Sequence, residues 1–204
     1  AGASQVCIFT RTSKTLDAPD IQFHFQPLSA DKPGVKMHSF SGITLSVCQL
    51  RPESRGEIVI KSPNSQVYPT IQPNYLSAVR DQETVIAAIK KAREIAGASP
   101  LSDYIIHEKV PGLHISSDNQ LLEAARMFSQ TIYHPVGTYK MGNDNSAVVD
   151  ERLRVHGINN LRVADASIMP TIVSGNTNAP SIMIGEKASD MILDDRRKYN
   201  NSVA

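Results

Sequence analysis

The 204-residue sequence contains no tryptophan, only two cysteines and 5% aromatic residues. Two cysteines make no disulfide framework. Cys7 and Cys48 both lie in apolar alternating stretches, which predicts buried free thiols. No apolar run reaches 18 residues, so a bilayer-spanning helix is excluded, and no charged-then-apolar leader opens the chain. These two absences predict a cytoplasmic protein. Net charge is only +1, too small for a nucleic-acid or membrane footprint. The Arg196-Arg197-Lys198 cluster reads as part of a solvated tail. There is no GxSxG elbow for a hydrolase. His107-Glu108 with His114 is no zinc motif, because the second histidine of HExxH would fall on Pro111. Asn143-Asp144-Asn145 lacks the glycine and terminal glutamate of a calcium loop. No metal site is expected.

What is present is a 41% hydrophobic, 20% charged composition, ordinary for a globular protein. The chain opens at Ala1 without methionine, and almost at once in strand-like sequence from Gln5 to Arg11. Both features predict a piece of something longer. The first third reads as antiparallel sheet. Ile21–Gln26 alternates strictly, putting Ile21, Phe23 and Phe25 on one face. A turn cluster at Leu16–Asp20 precedes it. Ile43–Leu50 alternates again, and Glu57–Lys61 is near enough to be its hairpin partner. Pro63, Pro69 and Pro73 then predict a loop ending near Tyr75.

Two amphipathic helices follow. Asp81 is expected to cap the first, with Val85, Ile89, Ala92 and Ala96 as its apolar stripe and Gly97 as its stop. Ser117-Asp118-Asn119-Gln120 is a capping-box pattern for the second, whose buried face would be Leu121, Leu122, Ala125 and Phe128. Near the end, Leu161–Ala164 reads as a short strand stopping at Asp165. A turn-rich stretch runs from Met169 to Asn178, and Pro180 opens a helix to about Leu193. A strand, loop and helix look like the closing unit of a layered α/β domain. One such unit cannot bury both faces of its strand.

Two motifs carry chemistry. In Tyr133-His134-Pro135-Val136-Gly137-Thr138-Tyr139-Lys140-Met141-Gly142, Pro135 holds His134 at a corner. An imidazole so placed suits a general base, since it titrates near working pH. In Pro170-Thr171-Ile172-Val173-Ser174-Gly175-Asn176-Thr177-Asn178-Ala179-Pro180, two asparagines and two hydroxyl residues stand directly before a helix. Such an N-terminus favours anions or electron-rich atoms. Simple capping by Asn178 would also account for it.

With Val148-Val149-Asp150, Leu153–Gly157, Leu161–Thr171 and Ile182–Ala188, these motifs resemble the C-terminal signature of the glucose-methanol-choline (GMC) oxidoreductase family. The choline-dehydrogenase and alcohol-dehydrogenase-like branch is most similar. Matching is dense over residues 130 to 193 and looser before, chiefly Leu50–Gly56 and Pro73–Leu76. The resemblance implies an FAD site. His134 matches the catalytic histidine, and Asn176 the second catalytic position, which is His or Asn in the family. Asp165 and Ala166 match residues contacting the ribityl-pyrophosphate. Thr177 and Asn178 match the helix start that approaches the pyrimidine edge of the flavin. Tyr139 stands where many relatives carry Cys, a departure bearing on local packing or substrate fit.

On this resemblance the fold class is α+β. A substrate-binding domain, residues 1–145, would hold an antiparallel sheet on the scale of six strands with flanking helices. Residues 146–195 would be the C-terminal strand-loop-helix of an incomplete FAD-binding α/β domain, and 196–204 a flexible tail. The family binds the ADP half of FAD through GxGxxG near its N-terminus. The 11 glycines here include no two spaced two apart. Most of the FAD contacts are therefore expected in a missing N-terminal segment, leaving this chain alone with little flavin and little activity. The expected function is oxidation of the CH–OH group of an alcohol, with hydride transfer to flavin N5 and His134 as base. Two alternatives stand beside it: a hydroxynitrile lyase of the same family, and a non-catalytic interaction module. The lack of tryptophan favours an uncharged aliphatic or aryl alcohol over choline, whose quaternary ammonium wants an aromatic cage. Electron acceptor and oligomeric state are left open.

Overall fold

Strict alternation from Ile21 to Gln26 predicts a strand with one buried face; the computed structural model has the strand, but Gln22 on the opposite face is buried along with Ile21 and Phe23, and Phe25 is only half-buried. The structure describes residues 4–31 and 34–203. The first three residues of the expected domain 1–145, its Lys32 and Pro33, and Ala204 of the expected tail lie outside the described residues. The chain forms two compact units, one of residues 1–56 and 73–130, the other of residues 57–72 and 131–204.

In the first unit, β1 (Val6–Thr10), β2 (Ile21–Gln26) and β3 (Thr44–Gln49) form an antiparallel sheet in the order β1-β2-β3. The register aligns Ile8 with Phe23, and Phe23 with Val47. Side chains on directly opposed residues share a face, so these three point one way. Helix α1 (Val79–Ala96) lies against that face. Ile21 and Phe23 are fully buried with Ala88 of α1, flanked by Ile8, Leu45, Val47, Ala92 and Ile95. Cys7 and His24 are paired across β1 and β2 on the opposite face, which corrects the expectation of two buried thiols. Cys7 is exposed, with Sγ 3.6 Å from His24 Nδ1, and Cys48 is half-buried.

Asp81 does not cap α1; Ala78 precedes the helix and makes no side-chain cap. The Asp81 side chain is buried instead. Its carboxylate accepts hydrogen bonds from Gln49 Nε2 (2.9 Å), Glu53 N (2.9 Å), Ser54 N (2.8 Å) and Ser54 Oγ (2.5 Å). It thereby ties the loop after β3 to the first turn of the helix. Arg93 does the same at the other end. Its guanidinium reaches both carboxylate oxygens of Glu108 (2.9 and 2.8 Å) and the carbonyls of Gly112 (3.1 Å) and Ile115 (2.9 Å). Helix α2 (Asp118–Phe128) starts with the expected box: Gln120 N donates to Ser117 Oγ, and Ser117 N donates to Gln120 Oε1 at 3.1 Å. Leu121 and Ala125 are buried, but Leu122 is half-buried and Phe128 is 55% exposed. Phe128 is the last helical residue, where the chain turns out of helical geometry at Ser129.

In the second unit, β4 (Glu57–Val59) pairs antiparallel with β5 (Thr70–Gln72), Ile58 opposite Ile71. The segment is not the hairpin partner of β3. Its partner is a three-residue strand between Pro69 and Pro73, inside what the prolines suggested was loop. Among the described residues the sheets hold three and two strands, fewer than the six anticipated. The strand expected at Leu161–Ala164 is also reduced, to one bridge between Arg154 and Arg162.

Here the core is built from loops against helix α3 (Asn178–Val203). Val149, Leu153, Ile168 and Met169 pack with Ile184 and Ala188 of the helix, and Met191 adds to the same stripe. Residues 184, 188 and 191 share a helical face. Pro180 lies inside the first turn, two residues after the start. The helix passes well beyond Leu193 and takes in most of the expected tail. Asp194 pairs with Lys198 (2.9 Å) one turn on, and with Arg152 (3.0 Å), while Asp195 pairs with Arg152 (2.6 Å) and Arg162. Polar anchors of this kind extend a helix after its apolar stripe has ended.

Candidate active site

The segment carrying His134 is set by its backbone. Tyr133 adopts a left-handed φ of 63°, uncommon for a non-glycine residue, and its N–H donates to Thr131 Oγ1 at 3.0 Å. Beyond Pro135, Gly137 has φ 92°, a left-handed conformation that favours glycine, and lies in ordinary contact with the Met169 carbonyl. The N–H groups of Gly137 and Tyr139 both donate to the Ser167 carbonyl at 3.1 Å, and Met141 N donates to Ile168 O at 2.8 Å. The His134 segment is thus stitched to residues 167–168.

Those residues sit in a 3-10 turn, Ala166–Ile168, which Asp165 caps. Its Oδ1 accepts from Ser167 N at 2.7 Å and from the Ser167 hydroxyl. Asp165 is exposed and Ala166 half-buried. The two expected FAD-contacting residues therefore lie on the turn that anchors the histidine segment.

The other half of the site is the entry to α3. Asn178 is the first helical residue and Thr177 stands just before it, with its carbonyl accepting from Ser181 N at 3.0 Å. Thr177 is buried, Asn176 exposed and His134 half-buried. Three contacts converge on the imidazole. Thr177 Oγ1 lies 2.7 Å from Nδ1, Asn176 Nδ2 lies 2.8 Å from Nε2, and Thr177 N lies 3.4 Å from Nδ1.

An amide nitrogen only donates, so with Asn176 in this orientation Nε2 is the acceptor and the ring proton is on Nδ1. The Nδ1–H then donates to Thr177 Oγ1. This tautomer satisfies both short contacts at the expense of the longer one, in which Thr177 N–H is directed at Nδ1 from 3.4 Å. The result is an imidazole whose outward nitrogen holds a lone pair beside an amide donor. A substrate hydroxyl that displaces this amide contact could give its proton to the ring and accept a hydrogen bond from Asn176.

The structure thus brings together His134 and Asn176, the two expected catalytic residues, and adds Thr177 as a direct partner of the histidine. Ser167, which receives two N–H groups of the His134 segment, was not singled out from sequence. Asp-x-Ser announces a local side-chain turn, but nothing in it names a partner 30 residues upstream. A recess of about 1000 Å³ between residues 150–162 and Ile192 and Asp195 includes none of His134, Asn176 and Thr177. Among the described residues no group of three or more His, Cys, Asp or Glu is placed to hold a metal ion, and no helix is long and apolar enough to cross a membrane.

The fold and this His–Asn pair define a class that comparison with known proteins makes specific. The family profile described as GMC oxidoreductase matches residues 52–185, so the chain belongs to the GMC oxidoreductase family, whose members are FAD flavoproteins. An alcohol dehydrogenase (acceptor) of Pseudomonas putida is 46% identical over 185 residues, 91% of this chain and 34% of that protein. An oxygen-dependent choline dehydrogenase of Pseudomonas savastanoi pv. phaseolicola is 42% identical over 184 residues, 90% of this chain and 32% of that protein. Among solved structures, pyridoxine 4-oxidase from Mesorbium loti superposes with a TM-score of 0.81 at 28% identity, covering 92% of this chain and 37% of that one. A variant of Aspergillus oryzae RIB40 formate oxidase, studied for its FAD modification, gives 0.79 at 26% identity, covering 90% and 33%. The chain spans about a third of the length of these curated relatives.

Proposed function

We propose that this chain is the C-terminal portion of an FAD-dependent oxidoreductase acting on the CH–OH group of an alcohol, with His134 as general base. The observation that carries the reading is the convergence of His134 Nε2 and Asn176 Nδ2, 2.8 Å apart though 42 residues separate them in sequence. Deprotonating a hydroxyl needs an acceptor within about 2.6–3.2 Å and a donor to hold the oxygen as charge builds on it. Nε2 takes the hydroxyl proton. The Asn176 amide donates to the alcohol oxygen and fixes the carbinol carbon in one orientation. FAD, when bound, supplies the hydride acceptor at N5.

The residues present fit that cofactor. The 26-residue helix α3 begins beside the histidine, and a helix N-terminus suits the electron-rich pyrimidine edge of a flavin. Thr177 and Asn178 would hold that edge through this helix start, and Asp165 and Ala166 would face the ribityl-pyrophosphate. The remaining FAD contacts belong to an N-terminal segment carrying the dinucleotide fingerprint. With no tryptophan in the chain, an uncharged aliphatic or aryl alcohol is the better substrate class than choline.

The test is anaerobic mixing of the full-length enzyme with primary alcohols. Bleaching of the flavin absorbance is expected, and His134→Ala should slow it by roughly 100- to 10,000-fold. An unreduced flavin together with cyanohydrin cleavage would assign a lyase instead. No reaction from a folded, flavin-loaded protein would leave a non-catalytic module.

A further inference from the structure

We infer that Thr177 is the positioning residue for His134: its hydroxyl holds the imidazole in the Nδ1–H tautomer and so leaves the Nε2 lone pair on the Asn176 side, where a substrate hydroxyl would displace the amide. This rests on the reading of His134 as the base. Thr177 stands immediately before α3, where a threonine hydroxyl ordinarily accepts from a first-turn N–H. Here Oγ1 lies 2.7 Å from His134 Nδ1 instead, within a residue only 7% exposed. Burial matters because a buried hydroxyl requires a defined partner, and the imidazole provides it.

The tautomer assignment follows from the two short contacts, with the Asn176 amide nitrogen facing Nε2, and sets aside the 3.4 Å approach of Thr177 N–H to Nδ1. With the proton on Nε2, the ring N–H would face the Asn176 amide N–H groups at 2.8 Å, donor against donor. With the proton on Nδ1, Thr177 accepts it and Asn176 donates to Nε2. The hydroxyl also remains a good partner when the ring becomes imidazolium, since Nδ1 stays a donor in both states. The same contact therefore serves before and after the proton arrives, and the ring need not turn during the reaction. The Thr177 carbonyl meanwhile accepts from Ser181 N and from Ser181 Oγ at 2.6 Å. The hydroxyl is thus fixed to the start of the helix.

Thr177→Val keeps the shape and removes the hydroxyl, whereas Thr177→Ser keeps the hydroxyl. Both are to be made in the full-length flavin-loaded enzyme labelled with 15N-histidine, the His134 signals being identified by their loss in His134→Gln. The expected result is a single Nδ1–H tautomer in the native and Ser proteins and a mixture of tautomers in the Val protein. Flavin reduction at saturating alcohol should fall about 10- to 100-fold for Val with KM changed less than about threefold, and stay within about threefold of native for Ser. An Nε2–H ring in the native protein, an unchanged tautomer in Thr177→Val, or a Ser variant as slow as the Val variant would each overturn the inference. If the native ring is Nδ1–H, Val disorders it, and yet no alcohol reduces native flavin, the oxidoreductase reading fails while the tautomer assignment survives.

Discussion

Asp81 is an acid that the fold binds in its charged form. Burial pushes its carboxyl up, but the hydrogen bonds from the Glu53 and Ser54 backbone, the Ser54 hydroxyl and Gln49 together outweigh that and hold it below the ordinary carboxylate value. A group so depressed stabilises the fold above its unfolded value, near 3.9, and that contribution is lost as pH falls through the lower folded value. Asp81→Asn should cost about 1–3 kcal/mol near neutrality. In urea titrations its deficit against native protein should narrow as pH is lowered below about 4. A deficit independent of pH would dissociate the carboxylate's charge from its role. The residue was misread from sequence for a physical reason. A local rule sees an acidic side chain in the first turn and assigns it to the helix end, while its actual partners lie 27 to 32 residues upstream. The contact between His134 and Asn176 was to be expected from ordered motifs that resemble a known family, not from their spacing. The bond between Thr177 and His134 left no such trace.

At the scale of elements, those with short-range causes were readable. β2 matched its expected bounds, Ile21 to Gln26, although its burial does not alternate, Gln22 being buried as well. The Ser117–Gln120 box formed as expected, being closed within four residues. Ser117→Ala should therefore destabilise the first unit by about 1 kcal/mol, measured as a lowered urea midpoint with unchanged slope. No change would mean that α2 depends on the packing of Leu121 and Ala125 alone. Elements whose causes are remote were missed. β5 exists because β4 pairs with it, across ten residues rich in proline and polar side chains. Just past Leu193, α3 is held at Asp194 and Asp195 by Arg152 and Arg162, which are 33 to 43 residues upstream.

For the whole molecule, the units differ in how they bury themselves. The first closes a sheet against α1. The second wraps loops around α3. Both leave apolar side chains in water: Ile60 and Tyr68 of the second are 83% and 89% exposed, and Tyr104 and Ile106 of the first 83% and 97%. Apolar surface of this extent ordinarily meets a partner. The sequence held no dinucleotide fingerprint, and the chain covers only a third of its curated relatives. The 204-residue chain alone should accordingly retain no stoichiometric flavin after gel filtration, read as the ratio of flavin to protein absorbance. A ratio near one per chain would refute this division of the cofactor site.

Thr177 closes two circuits at once, its carbonyl opening α3 and its hydroxyl gripping the imidazole. Unwinding by a single turn at that point would release the imidazole while the ion pairs and the bulk of the helix stayed intact. On the role proposed for His134, the full-length enzyme heated gradually should lose activity before it loses its fold.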